Sequence, residues 1–178
     1  MIGLGGSSRR REFERAILPH LDAAYSLARF LLRNDEDAED AVQESALRAF
    51  RFFDGFRGEN SRAWFLRIVR NTAFTLLQKD RPHDADVEFD EELHTPQSAG
   101  SEAGARLDLQ QDQETVRAAI EQLAPEFREV VTLRELEDCA YKEIADICNI
   151  PVGTVMSRLA RARAQLQQIL SQAYRKEN

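Results

Sequence analysis

The chain has 178 residues, 43% of them hydrophobic and 31% charged, with a formal net charge of −7. That length accommodates one domain or two small ones, and the composition suits a largely helical protein. No apolar run approaches the ~20 residues of a membrane span, and bulk acidity excludes nucleic-acid binding through overall charge while leaving local basic patches open.

The first residues, MIGLGGSSRRREF, lack the apolar core of a secretory signal, which points to the cytoplasm, and 1–9 is expected to be an unstructured tail. Helical periodicity begins near Glu12, with Phe13, Ile17, Leu21, Ala24, Ala28 and Leu31 recurring at three- and four-residue spacing and Pro19 starting a new helix or kinking the first. Asn34 or Asp35 is placed to cap the next helix. Ala38, Val42, Ala46, Ala49 and Phe53 form its inward stripe, and Asp37, Asp40, Gln43 and Glu44 lie on its other side. A Gly-bounded turn at 54–60 follows, with Ser61 as the expected cap of a third helix carrying Trp64, Phe65, Ile68, Val69, Thr72, Ala73 and Leu76.

Periodicity stops at Arg81. From there to Leu109 the chain has 2 basic and 8 acidic residues, together with Pro82, Pro96, Gly100 and Gly104, and reads as a flexible acidic linker over 81–110. Helical pattern resumes with Val116, Ile120 and Leu123, and Pro125 opens a helix bearing Phe127, Val130, Val131 and Leu136. The fold class expected is all-α: one helical domain over 10–80, the linker, and a second helical domain over 111–175.

The segment from Tyr141 to Leu166, YKEIADICNIPVGTVMSRLARARAQL, carries the most specific local signal. Ile144, small Ala145 and Cys148 share one helical face. Asn149 stands where a left-handed turn residue is needed, Pro151 and Gly153 break the pattern, and Thr154 is placed to cap or open the next helix. Val155, Leu159, Ala162 and Leu166 make an apolar stripe, leaving Arg158, Arg161 and Arg163 off it. That is the order of a helix-turn-helix whose second helix meets DNA. Pro151–Asn178 carries five basic residues against Glu177 alone.

Two other constellations stand out. Three carboxylates on one helix face, without His ligands, are most often a solvated face, with docking to a basic partner as the alternative. Phe56, Arg57, Asn60, Trp64, Arg67, Arg70 and Asn71 combine aromatics with a basic helix, as single-stranded nucleic acid requires: rings stack unpaired bases and arginines hold the backbone. Phe56 is the better stacking candidate, and Phe65 reads as core. His20, His83 and His94 are scattered. No catalytic constellation, metal site or cofactor motif is evident. Cys148 reads as a small buried residue and Cys139 as incidental, with a redox pair between them the minor alternative.

These motifs resemble those of the extracytoplasmic-function sigma factors, two-domain relatives of sigma-70 in bacteria, over nearly the whole chain outside the tail and linker. The resemblance implies that Asp37, Asp40, Gln43 and Glu44 bind core RNA polymerase at the β′ clamp, with further contact to the β subunit. It implies that Phe56, Arg57, Asn60, Trp64, Arg67, Arg70, Asn71 and Thr75 hold melted −10 DNA. Thr154, Met156, Ser157, Arg158, Arg161 and Arg163 are implied to read the −35 element, and an anti-sigma factor is implied as a regulatory partner. Met156 stands where the family often has Lys or Arg, and Thr75 where some members have Asn. A protein that mimics a sigma factor to titrate an anti-sigma factor, and a stand-alone helix-turn-helix regulator, are the competing readings.

Overall fold

The computed structural model describes residues 4–79 and 109–176; the acidic segment expected as a linker lies outside them, except for Leu109 and Gln110, which begin a helix. In chain order the helices are α1 (Leu4–Ile17), α2 (Leu21–Leu32), α3 (Asp35–Phe52) and α4 (Ser61–Lys79). After the undescribed segment come α5 (Leu109–Glu121), α6 (Pro125–Val131), α7 (Tyr141–Cys148) and α8 (Val152–Lys176). Among the described residues there is no strand.

Local chemistry sets most boundaries. α2 ends at Arg33, which takes a left-handed conformation (φ 59°), and Asn34 then caps α3 by accepting a bond from the Asp37 amide at 2.9 Å. Asp35, Glu36 and Asp37 fill the first turn of α3, where the helix dipole favours negative charge. Pro125 occupies the first turn of α6, where its missing N–H costs nothing. α6 passes into one π-helical turn at Thr132–Leu136. α7 closes on Asn149 with φ 55°, the left-handed residue that the sequence demands there.

Three expectations change. The tail is helical from Leu4 onward, because Arg9 anchors it: its Nε donates to Asp54 at 2.7 Å, its Nη2 to the Phe50 carbonyl at 2.8 Å, and its guanidinium lies 4.5 Å from the Phe50 ring centre. α4 is capped by Asn60, whose side-chain oxygen accepts from the Ala63 amide at 2.9 Å, rather than by Ser61. α8 opens at Val152, with the Pro151 carbonyl accepting from both the Thr154 and Val155 amides, so Thr154 lies inside the helix and is not its cap.

The first helical domain packs Leu27 and Leu31 of α2 against Phe65, Leu66 and Val69 of α4, with Ala38, Ala41 and Ala49 letting α3 approach closely. Ser45 sits in that small-residue stripe, its hydroxyl donating to the Ala41 carbonyl at 2.6 Å and meeting Thr72 Oγ1 at 3.0 Å. The second domain buries Ile120, Leu123, Val130, Leu133, Ile144, Ile147, Val155, Leu159 and Ala162. Both sets belong to one contiguous core cluster, since α7 packs on α4 and α6 on α2. The two halves are therefore in direct apolar contact.

Candidate functional site

Among the described residues, the acidic face of α3 is turned to solvent. Asp37, Asp40, Gln43 and Glu44 are all exposed, because Ala38, Ala41, Ser45 and Ala49 take the buried side. Glu44 accepts from Arg48 one turn on at 2.8 Å. The face continues into Leu47, 69% exposed, a residue that the sequence pattern alone does not single out. The available signal is phase: Leu47 follows Asp40 and Gln43 at helical spacing, off the alanine stripe. An exposed leucine bordered by carboxylates is suited to docking on a surface that is part apolar and part basic.

The aromatic–basic segment forms an open cleft of about 520 Å³ lined by Phe56, Arg57, Gly58, Trp64 and Arg67 among others. Phe56 lies 4.8 Å from Trp64 between ring centres and is stacked on Phe53 at 6.2 Å. Gly58 leaves room for this fold-back: a Cβ there would come within 3.1 Å of the Phe56 ring and press it aside by a few tenths of an ångström. Phe65 is fully buried, as core. Arg57, Arg67, Asn71 and Thr75 are exposed, and the Thr75 hydroxyl donates to the Asn71 carbonyl at 2.9 Å.

Asn60 and Arg70 are committed elsewhere. Besides capping α4, Asn60 donates through Nδ2 to Glu143 of α7 at 3.1 Å. Arg70 lies across the Phe74 ring at 4.2 Å and donates to Glu129 of α6 through Nε at 2.7 Å and Nη2 at 3.2 Å. The cleft itself is bordered by Asp146 of α7.

On α8, Val155, Leu159 and Ala162 are buried and Leu166 packs against the core, as the apolar stripe predicts. Met156 (54% exposed), Ser157 and Arg161 point outward, and Thr154 is half-buried. The Ser157 hydroxyl donates to the Thr154 carbonyl at 3.1 Å. Arg158 is not outward: its Nη1 donates to Glu129 at 3.2 Å. Arg163 is drawn to Glu135, with Nε at 2.9 Å.

Glu129, which neither motif nor spacing singles out, is thus the acceptor for one arginine from each expected DNA-contacting helix. Its side chain is fully buried while those of Arg70 and Arg158 are 20% and 23% exposed. Burial pushes the Glu129 carboxyl up, opposed by both guanidiniums. Burial pushes Arg70 the other way, yet its bonds to Glu129 outweigh that and leave it raised. The two partners thus differ in whether burial or pairing prevails. Three charge-assisted hydrogen bonds, two from Arg70 and one from Arg158, converge on this carboxylate. A charge in a run of Phe127, Val130 and Val131, on the inward phase of a short helix, is the one trace of this role in the sequence.

Cys139 and Cys148 are buried free thiols. Burial pushes Cys139 up to about 12 and Cys148 higher still, and Cys148 lies in hydrogen-bond contact with Glu129. Cys139 is fully buried, as Cys148 nearly is. Among the described residues no helix is long and apolar enough to cross a membrane, and no group of His, Cys, Asp and Glu is arranged to hold a metal ion.

Residues 16–82 match the family model for sigma-70 region 2, and residues 113–166 that for sigma-70 region 4. The chain is 34% identical over 169 residues to the RNA polymerase sigma-H factor of Pseudomonas aeruginosa, covering 90% of this chain and 87% of the relative. It is 39% identical over 134 residues to the ECF RNA polymerase sigma-E factor of Escherichia coli, covering 71% and 70%. Among solved structures it is similar to the sigma factor RpoE of Bartonella quintana, crystallised with the anti-sigma factor NepR, with a TM-score of 0.69, 30% identity, and coverage of 90% of this chain and 98% of that one.

Proposed function

The chain belongs to the sigma-70 family, of the extracytoplasmic-function type, and from that membership we propose a residue-level account of how it attaches to RNA polymerase and engages a promoter. As a sigma factor it directs promoter-specific initiation of transcription. Asp37, Asp40, Gln43 and Glu44, joined by Leu47, attach it to the β′ clamp of core enzyme, with a further contact to β. Phe56, Trp64 and the basic groups Arg57, Arg67 and Arg70 receive the melted −10 strand, where base stacking offsets the few kcal/mol, roughly, that unstacking a base costs. Asn71, Thr75 and Asn60 border that strand. Ser157, Arg158 and Arg161 enter the −35 major groove, each specific contact contributing about 1–3 kcal/mol of discrimination. Thr154, Met156 and Arg163 lie along the same helix, Arg163 on phosphate.

The protein performs no chemistry of its own and works in the cytoplasm, where the polymerase is. The solved relative sits with an anti-sigma factor, and control by such a partner belongs to the same proposal. The observation that supports it is the co-occurrence, on one chain, of a free acidic face with Leu47, an aromatic–basic cleft, and a helix-turn-helix with outward Ser157 and Arg161.

Run-off transcription with purified core polymerase on a library of promoter fragments is the test. Promoter-specific transcripts that need this chain are expected. Their absence with active core would overturn the account in favour of a sigma mimic, whose acidic face would serve an anti-sigma factor alone.

A further inference from the structure

The aromatic cleft is backed by α1, a helix outside every segment so far assigned to polymerase or promoter. Phe56, the stacking ring of the cleft, follows a short 3₁₀ turn at Phe53–Gly55, and Gly55 and Arg57 on either side of it are exposed. Polar anchors hold both ends of this loop. Asn60 holds the far end, through the Ala63 amide and Glu143. Arg9 of α1 holds the near end: its Nε donates to Asp54 inside the turn at 2.7 Å, and its Nη2 to the Phe50 carbonyl at 2.8 Å. That carbonyl lies in the last turn of α3, where the helix dipole favours a cation, and it also accepts from the Phe53 amide that begins the turn. The face of the guanidinium lies 4.5 Å from the Phe50 ring centre, so the edge and the face of one planar group are both used. A chain of rings then runs from α1 into the cleft. Phe13, one helical turn beyond Arg9, makes edge-to-face contacts with Phe50 at 5.1 Å and Phe53 at 5.4 Å, the geometry that ring quadrupoles favour. Phe53 stacks on Phe56 at 6.2 Å and 19°, and Phe56 meets Trp64 at 4.8 Å. A shift of the turn is thus passed directly to Phe56.

We propose that Arg9 is a positioning residue for −10 recognition: by clamping Asp54 and the Phe50 carbonyl it keeps Phe56 preset against Trp64, ready to stack an unpaired base. The inference rests on the assignment of this cleft to the melted −10 strand. Arg9 acts through the turn and does not itself meet DNA, since its donors and its ring contact are spent on protein. A loop already held in its binding conformation has little ordering entropy left to lose when the base arrives, and the saving appears as affinity. Global stability is a separate matter. The Asp54 side chain is 74% exposed and that of Arg9 32%, and a pair so open to water adds little to the fold as a whole. Cutting it therefore loosens the turn and leaves the helices in place.

The test compares the full chain with Arg9→Gln, Asp54→Ala and Phe56→Ala variants, each bound to saturating core enzyme. The probes are the fluorescent non-template −10 strand and the −35 duplex of one promoter taken from the run-off library. Trp64 is the chain's single tryptophan, so acrylamide quenching of the free protein reads the looseness of the cleft directly. Arg9→Gln and Asp54→Ala are each expected to weaken −10 strand binding by about three- to tenfold, as preorganisation is lost. Quenching of Trp64 should rise in both, while −35 duplex affinity and thermal melting stay as in wild type. Asp54→Ala separates positioning from charge. Removing a carboxylate would by itself tighten binding to a polyanion, and so would freeing an Arg9 that contacted phosphate directly. Strand affinity at or above wild type in Asp54→Ala overturns the proposal, as do wild-type affinity and quenching in a folded Arg9→Gln. Should Arg9→Gln lose helix content, Asp54→Ala decides alone, because it changes no residue of α1. Undiminished strand binding by Phe56→Ala would instead strike at the assignment of the cleft, so the two failures are separable.

Discussion

The acidic face of α3 and the basic faces of α4 and α8 are equally plain as patterns of charge, yet they have opposite fates in the folded chain. On α3 every candidate group reaches solvent. On α4 and α8 the arginines nearest the domain interface, Arg70 and Arg158, are turned inward to Glu129, while Arg67 and Arg161 on the same helices remain outward. The difference is one of position on the helix. A residue's sequence spacing fixes its face, but only the neighbouring domain determines whether that face meets water or a carboxylate. Surface charge on a modular protein is therefore evidence of availability only after the modules have been placed.

The sharpest way to break the comparison is to reverse the free face. Asp40→Lys with Glu44→Lys should reduce promoter-specific run-off by about a hundredfold or more, because like charges set against a partner cost several kcal/mol. Circular dichroism should show the fold intact. Among the described residues the internal penalty is the lost Glu44–Arg48 pair and the repulsion that replaces it, each worth roughly a few tenths of a kcal/mol.

Next come the two arginines of α8. Arg161→Ala is expected to weaken holoenzyme binding to a −35 duplex by about 1–3 kcal/mol and to leave the free chain's scattering profile unchanged. Arg158→Ala should weaken holoenzyme binding to a similar extent and, unlike Arg161→Ala, expand the free chain. Identical profiles for the two variants would erase the distinction drawn between inward and outward arginines.

The buried thiols give a smaller effect. With burial holding Cys139 at about 12 and Cys148 above its ordinary value, neither is a reactive thiolate at neutral pH. Labelling by a disulfide reagent should be slow in the wild-type protein, and faster for Cys148 in Glu129→Gln, which removes the carboxylate that pairs with Arg70 and Arg158. Mild oxidation followed by run-off transcription should show activity retained, and Cys148→Ser should behave likewise. A reversible loss of activity that Cys148→Ser removes would restore a redox role for the pair.

His20 provides the mildest test. It lies by Ser61 at 3.4 Å, with Arg62 and Glu143 nearby. Burial, then Arg62, lowers its pKa below 6.5, with Glu143 opposing. The neutral ring is thus preferred in the fold. Its contribution to stability is present above 6.5 and is lost as pH falls from there through the folded value. Thermal melts should show a small decline in melting temperature across that interval, flattened in His20→Gln. A decline of equal size in both proteins would assign it to other groups.

Much of this was readable from residues alone. Asn149 had to be left-handed, Asn34 or Asp35 had to cap, and the stripe of Val155, Leu159, Ala162 and Leu166 had to face a core, since each follows from local sterics or helical period. The helical start at Leu4 was not readable, because its anchor is Arg9 meeting Asp54 and the Phe50 carbonyl, some forty residues away. Asn60 shows the same limit. As a polar residue before a helix it suited both a cap and a DNA contact, and the structure gives its oxygen to Ala63 and its nitrogen to Glu143.

Sequence by itself determined the all-helical class, the membership of the sigma-70 family, and the order of an acidic helix, an aromatic–basic segment and a helix-turn-helix. These depend on period, capping and motif, which act over a few residues. Tertiary structure alone decided that the two halves share one core, that Leu47 stands out beside the carboxylates, and that Arg70 and Arg158 converge on Glu129. The reason is that a buried ion cluster is made by side chains 59 and 29 positions apart in the chain, and no local rule says which distant charge will be brought to meet which.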